Sequence, residues 1–150
     1  MWKNGLLCLF ICLLVSCKAR HAAPRSVVKP LSEVDASQKN RAYDVGLRVL
    51  SACNSSRFQP FRSDEATDQL RQNLTAERLT RTCQKYRAKY GTFKGLRLVE
   101  VIEYPKSGLL VYRYKASYQK NQTIKELRVT MDGTRATALE TRNWTDDFTP

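Results

Sequence analysis

The chain has 150 residues and a formal net charge of +12 at pH 7. This length is enough for one domain with a hydrophobic core and too short for two. So strong a positive charge favours anionic partners, such as phospholipid head groups, acidic surface polymers or nucleic acid. The basic residues are spread along the chain without a long basic block or a recognised nucleic-acid motif, so nucleic acid is not predicted as a partner.

The first residues indicate an export signal. Met1 to Asn4 is a short segment that carries Lys3, and Gly5 to Val15 is apolar. This run falls within the roughly 7–15 residues typical of a signal peptide and is shorter than the roughly 18–20 that span a bilayer. We therefore predict a signal peptide over residues 1–16.

Cys17 follows the apolar run in the tetrapeptide Leu14-Val15-Ser16-Cys17. This tetrapeptide resembles a bacterial lipobox, in which an aliphatic residue and a small residue precede an obligatory cysteine. The resemblance implies cleavage before Cys17, a thioether lipid on its sulfur and acyl chains such as palmitate, which would anchor the protein in a membrane of the bacterial cell envelope. The alternative is plain secretion after cleavage at Ser16 or Cys17.

Four matches to the Asn-x-Ser/Thr glycosylation acceptor keep a secreted eukaryotic glycoprotein open as an alternative. They begin at Asn54, Asn73, Asn121 and Asn143. Chance matches are expected in a chain rich in serine and threonine, and bacterial export ignores the pattern.

Residues 17–36 combine prolines, small residues and basic residues without periodicity. This composition predicts a flexible, lipid-anchored tether. A single domain is then predicted over residues 37–150.

Three helices are predicted at the start of the domain. The first follows Ser37 as a candidate N-cap and carries an amphipathic pattern. A short second helix follows Ser63 as its N-cap and ends near Asn73. Thr75 starts a third helix, and Gly91 stands where a C-terminal cap would end it.

Cys53 and Cys83 are the cysteines that remain after the leader is removed and Cys17 takes the lipid. In an oxidising compartment such a pair can form one disulfide. The alternative is two separate buried thiols. One spacing does not establish a geometry, and we expect separate thiols.

The rest of the domain alternates apolar and polar residues and predicts an antiparallel meander. Leu96 to Tyr104 forms its first strand, with a change of phase after Leu98 that predicts either a bulge or a strand covered on both faces. If Asn121-Gln122 and Asp132-Gly133 are two-residue turns, the apolar residues of the following strands share one face. The predicted pairs are Tyr112 with Met131, Tyr114 with Val129, Ala116 with Leu127, Val129 with Ala136, Leu127 with Ala138 and Lys125 with Glu140.

Helices followed by four strands predict an α+β fold, with the N-terminal helices packed on one face of a curved four-stranded meander. The segment LTAERLTRTCQKYRAKYGTFKGLRLVEVIEY at 74–104, together with YRYKASYQ and KELRVTMDGTRATAL, resembles the nuclear transport factor 2-like superfamily. The alternative is a cystatin-like fold, with one helix on a four-stranded meander. The QxVxG-type inhibitory loop of cystatins is absent, which argues against that inhibitory activity.

The sequence offers little catalytic chemistry. The single histidine, His21, lies in the predicted tether, which removes Ser-His and Cys-His pairs and histidine metal sites. Asp44, Glu100 and Glu103 are the candidate acid–base residues, although carboxylates more often serve as caps and surface groups. We therefore predict no enzymatic activity, no metal site and no cofactor.

Two non-enzymatic functions remain. In the favoured one, the domain is a membrane-tethered interaction or structural module of the envelope. In the other, tyrosines line a pocket for a small apolar or aromatic ligand. The predicted lining residues are Tyr43, Tyr86, Tyr112 and Tyr114.

Arg113, Lys115 and Arg128 alternate with the apolar strand residues and are predicted on the outer face of the sheet, with Lys115 opposite Arg128. Like charges on adjacent strands are unfavourable, so stability does not explain them. One interpretation is that this basic sheet face meets an anionic lipid or polymer surface. The other is that solvent and salt screen these charges.

Overall fold

A computed structural model describes residues 26–120 and 124–150. The predicted signal peptide, Cys17, His21 and Asn121 lie outside these residues. Within them, helices pack on an open antiparallel sheet of five strands arranged in chain order, which confirms the predicted α+β class. The elements are β1 (Val27–Lys29), α1 (Ala36–Ser55), α2 (Asp68–Asn73), α3 (Ala76–Tyr90), β2 (Phe93–Tyr104), β3 (Leu109–Tyr118), β4 (Lys125–Asp132) and β5 (Arg135–Asn143).

The prediction of four strands was wrong because β1 lies within residues predicted as tether. Val28 of this strand pairs with Ile102 of β2. A strand of three residues is too short for alternation to reveal. The fold also includes Val34, which is buried, so the structured part begins before Ser37.

The long helix α1 carries the contact between the helical layer and the sheet. The Asp35 side chain, and not that of Ser37, caps the helix by accepting a hydrogen bond from the Gln38 amide at 2.9 Å. Midway along the helix, Gly46 faces the sheet. A Cβ at this position would lie 2.7 Å from Leu127 Cδ2, so a glycine is what lets α1 approach β4 this closely.

The second helix begins later than predicted, at Asp68 with Thr67 as its N-cap. Ser63 cannot cap it because the preceding turn is organised around Glu65, whose carboxylate accepts hydrogen bonds from the Arg62 amide and from the Arg48 side chain. The third helix is confirmed, with Thr75 as its N-cap and Gly91 as its C-terminal cap at φ +75°.

The first turn of the meander differs from the predicted one. Tyr112 pairs with Val129 and Tyr114 with Leu127, a shift of two residues that leaves the inward face unchanged. Ala116 consequently pairs with Lys125. The predicted two-residue turn fails because the chain after Tyr118 turns to the end of α3, where Lys120 N donates to Tyr90 O. The predicted bulge after Leu98 in β2 is confirmed.

The second turn is also displaced. Asp132 pairs with Arg135, and a bulge at Thr130 and Met131 shifts the rest of β5. As a result Val129 faces Leu139, Leu127 faces Thr141 and Lys125 faces Asn143, while Ala138 is exposed. The predicted inward position of Ala138 was therefore wrong, although Ala136 is buried as expected.

Candidate functional site

The four tyrosines predicted to line one pocket do not come together. Tyr112 and Tyr114 are fully buried between α1 and the sheet, and the Tyr43 ring lies 6.2 Å from that of Tyr114 at the edge of this core. Tyr86 belongs to a separate aromatic cluster with Tyr90 and other rings. The predicted tyrosine set therefore divides into two structural clusters.

The buried tyrosines are neutral at physiological pH. Burial, with a smaller contribution from Asp35, raises the pKa of Tyr112 to about 12. Burial also raises the pKa of Tyr114. Neither hydroxyl has a hydrogen-bond partner among the described residues. A phenol of this kind cannot act as a base near pH 7.

A half-open cavity of about 180 Å³ lies between the helices and the β4–β5 side of the sheet. Its wall is mainly apolar, formed by Val49, Leu50, Leu74, Leu79, Leu127 and Leu139. Among the predicted pocket residues only Tyr86 reaches it, and the Tyr86 hydroxyl lies 2.7 Å from Thr141 Oγ1. This cavity is thus rich in leucine and is not lined by the predicted set of tyrosines.

The structure joins Cys53 of α1 to Cys83 of α3 in a disulfide, with 4.7 Å between their Cα atoms. The expectation of two separate thiols was wrong. The spacing along the chain carried no information about this contact, because it depends on how α3 packs against α1.

Three of the four glycosylation acceptor asparagines lie in the described residues, and their side chains form hydrogen bonds. Asn54 exchanges two hydrogen bonds with the backbone of Phe93. Asn143 accepts a hydrogen bond from Lys125 at 2.7 Å. Asn73 is exposed at the end of α2 and accepts from Arg78 at 3.3 Å.

The outer face of the sheet, on the side away from α1, carries a buried ion cluster. Arg113 pairs with Arg128 across β3 and β4, and both bind Glu126, which is fully buried. Arg113 Nε and Nη2 donate to the two oxygens of Glu126 at 2.7 and 3.1 Å, and Arg128 Nε donates at 2.5 Å. Arg113 also binds Glu100.

The ion cluster keeps Glu126 charged. Burial alone would raise the pKa of Glu126, but the hydrogen bonds from Arg113 and Arg128 outweigh burial and lower it. Burial would likewise lower the pKa of Arg113, and the bonds to Glu126 and Glu100 raise it instead. The cluster has no net charge, because two arginines are matched by two glutamates: Arg113, Arg128, Glu126 and Glu100.

Residues 144–150, here called the C-terminal cover, close over this cluster. Arg113 Nη2 donates to Thr145 O at 2.8 Å and Arg128 Nη1 to Thr149 O at 2.6 Å. The Trp144 ring centre lies 4.5 Å from the Arg113 guanidinium and 4.4 Å from Lys115 Nζ. These contacts leave Arg113 0% and Arg128 4% exposed.

The prediction of an exposed basic sheet face was therefore wrong for Arg113 and Arg128, although both lie on the predicted side of the sheet. Lys115 is half-buried and pairs with Glu126, not with Arg128. Glu126 shares a face with Arg128 by its spacing of two, a signal that the sequence contained.

A group of exposed cations lies instead along α3. Four cations, here called the α3 basic stripe, recur along one side of this helix: Arg78, Arg81, Lys85 and Lys89. The sequence reasoning missed them, although their spacings of three and four residues are those of a helical stripe.

The candidate acid–base carboxylates do not form a catalytic pair. Glu100 binds Arg113, and Glu103 lies 3.2 Å from Lys29 Nζ. Asp44 is exposed on α1. Among residues 26–120 and 124–150, no group of three or more His, Cys, Asp or Glu side chains could hold a metal ion.

No helix in the described ranges is both long enough and apolar enough to cross a bilayer. The arrangement as a whole offers two features on which a partner could act, the leucine-lined cavity and the α3 basic stripe. No family model, curated protein or solved structure matches the chain.

Proposed function

We propose that the protein is an exported, non-enzymatic binding module that a lipid on Cys17 tethers to a membrane of the bacterial cell envelope. The observation that carries export is the Cys53–Cys83 disulfide, because disulfides persist in oxidising compartments and are rare in the reducing cytosol. The apolar leader supports the same compartment. Attachment to the membrane rests on Leu14-Val15-Ser16-Cys17.

A binding role is supported by where the charges lie. The cluster of Arg113, Arg128, Glu126 and Glu100 is largely buried and has no net charge, so it leaves the exposed cations to set the field around the molecule. A surface with such a field attracts anionic partners.

Within the α+β class, we propose a nuclear transport factor 2-like domain. Three helices ahead of the meander support this assignment. The placement of one long helix, α1, against the sheet is equally compatible with the cystatin-like alternative.

The test of the tether is the intact mass and detergent partition of the mature protein. We expect a mass increase at Cys17 and recovery in the detergent phase. Cys17→Ala should abolish both, while the matched leader variant Cys12→Ala should change neither. A mature N-terminus at Lys18, or an unmodified Cys17, would contradict the proposal.

The cavity supports a second candidate function, the binding of a small apolar ligand. Its volume of about 180 Å³ is close to that of engineered apolar cavities of about 150 Å³ that bind benzene. Benzene and indole are suitable probes in a thermal-shift assay. Stabilisation of the wild type but not of Leu139→Phe, which would narrow the cavity, supports this function.

A further inference from the structure

The α3 basic stripe is a band of exposed cations along one side of the helix. Its members follow one another after three, four and four residues, which corresponds to about 4.5, 6 and 6 Å along the helix axis. At 3.6 residues per turn they fall within about 80° of the helix circumference. All four are exposed.

Little of this charge is paired with carboxylates within the fold, although Lys89 Nζ lies 5.3 Å from the centre of the Tyr90 ring. Glu77 lies 3.8 Å from Arg81, and both side chains are mostly exposed, so the pair is weak. Arg78 donates to the neutral oxygen of Asn73. Among the described residues, no salt bridge involves Arg78, Lys85 or Lys89.

Stability does not explain the row. The helix dipole favours cations in the last turn, which accounts for Lys89, but it disfavours a cation such as Arg78 in the first turn. The spacing of four residues from Arg81 to Lys85 and on to Lys89 also places like charges next to each other. An anionic partner bound along α3 would offset both the unfavourable interaction of Arg78 with the helix dipole and the repulsion between neighbouring cations.

The apolar residues of α3 argue against insertion of this helix into a membrane. A helix that lies on a membrane buries an apolar face in it. In α3 that face is already used, because Leu79 and Cys83 are buried in the fold. The large exposed hydrophobic residues of the described chain lie outside α3: Val27, Val28, Leu31, Tyr43 and Ile124.

We infer that the α3 basic stripe binds a linear anionic polysaccharide that lies along the helix. A row of cations on a convex helix matches a chain of regularly spaced charges better than it matches a plane. The inference relies on the proposed function only for the compartment in which such polymers occur, because binding itself requires neither lipid nor tether.

The test measures binding of heparin fragments, as a probe polysaccharide, to the purified mature protein by calorimetry over a range of salt concentrations. We expect affinity to fall as salt rises, since binding releases counterions. A variant with all four stripe cations changed to Gln should bind on the order of tenfold more weakly or worse. Gln preserves helix propensity at exposed positions.

A charge-matched control separates the stripe from net charge. It carries Arg57→Gln, Arg97→Gln, Lys106→Gln and Arg135→Gln, four changes at exposed positions outside α3. This control should retain nearly full affinity. Circular dichroism checks folding, and if the α3 variant unfolds, the double variant Arg81→Gln/Lys85→Gln replaces it with a smaller expected loss.

Three results would overturn the inference. They are unchanged binding by the α3 variant, an equal loss in the control, or binding to vesicles of equal parts phosphatidylcholine and phosphatidylglycerol without binding to heparin. None of them bears on lipidation of Cys17, which the intact mass reports separately.

Discussion

Glu126 holds together two arginines that would otherwise repel each other across β3 and β4. Arg113 and Arg128 are direct cross-strand partners, and each donates to the Glu126 carboxylate. Glu100 supplies the second negative charge. Buried charges are tolerated only when they are paired and hydrogen-bonded. Every charge of this cluster is paired, and within the cluster Arg128 Nη2 is the buried nitrogen that has no hydrogen-bond partner among the described residues.

The cluster leads to a prediction about stability. Arg113→Ala should lower the free energy of unfolding by about 3–5 kcal/mol, because Glu126 and Glu100 would lose a buried partner. The exposed neighbour Arg97 provides the control, and Arg97→Ala should stay within about 0.5 kcal/mol. Urea unfolding measures both. Equal effects at the two positions would show that the cluster is not buried in solution.

The sequence was sufficient to place these residues but not to describe their surroundings. Period-two alternation puts Tyr112 and Tyr114 inward and Arg113 outward, and the structure agrees. Exposure of Arg113 depends on the C-terminal cover, which has no periodic pattern. The cover is held in place by its main-chain carbonyls and aromatic rings, and contacts of this kind produce no alternation of apolar and polar residues in the sequence.

Among the elements, α1 is positioned by the absence of a side chain at Gly46. The helix approaches the sheet so closely that Leu127 and Leu96 fill the space where a Cβ would project. Such contacts are sensitive to added volume because protein interiors are close-packed.

Gly46→Val should therefore lower the free energy of unfolding by about 1–3 kcal/mol through overpacking against β4. Gly95→Val is the matched control, because a Cβ at Gly95 would meet nothing within 4 Å. Thermal melts followed by circular dichroism compare the two. If Gly46→Val melts no lower than the control, α1 does not pack against β4 as closely as described.

Element boundaries were predictable where local chemistry sets them and not where distant contacts do. Thr75 and Gly91 bound α3 through hydrogen bonds within a few residues, and both were predicted correctly. The turn after Tyr118 was not, because it is determined by hydrogen bonds to Thr92 and Tyr90 far back in the chain. A shift of two residues preserves side-chain faces, which is why the predicted core survived it.

At the scale of the whole molecule, the Cys53–Cys83 disulfide links two helices separated by the entire α2 region. The α+β class follows from local periodicity, so it was predictable. The disulfide and β1 depend on how distant parts of the chain pack together, so they could not be predicted from local sequence patterns.

Replacing both cysteines, as Cys53→Ala/Cys83→Ala, should lower the free energy of unfolding by about 3–4 kcal/mol, because the unfolded chain gains the freedom of the opened loop. The wild type in reductant should approach the variant, while reductant should leave the variant itself unchanged. Guanidinium unfolding with and without dithiothreitol measures this. A wild type that is insensitive to reductant would contradict the prediction.

The place of β1 in the sheet has a mechanical consequence. Tension on the chain before Val27 would enter the domain through this edge strand, which pairs with β2 at three positions. A pull perpendicular to the strand would open these pairs one after another, whereas a pull along it would load them together. How firmly the domain resists detachment of its N-terminal strand should therefore depend on the direction of the force.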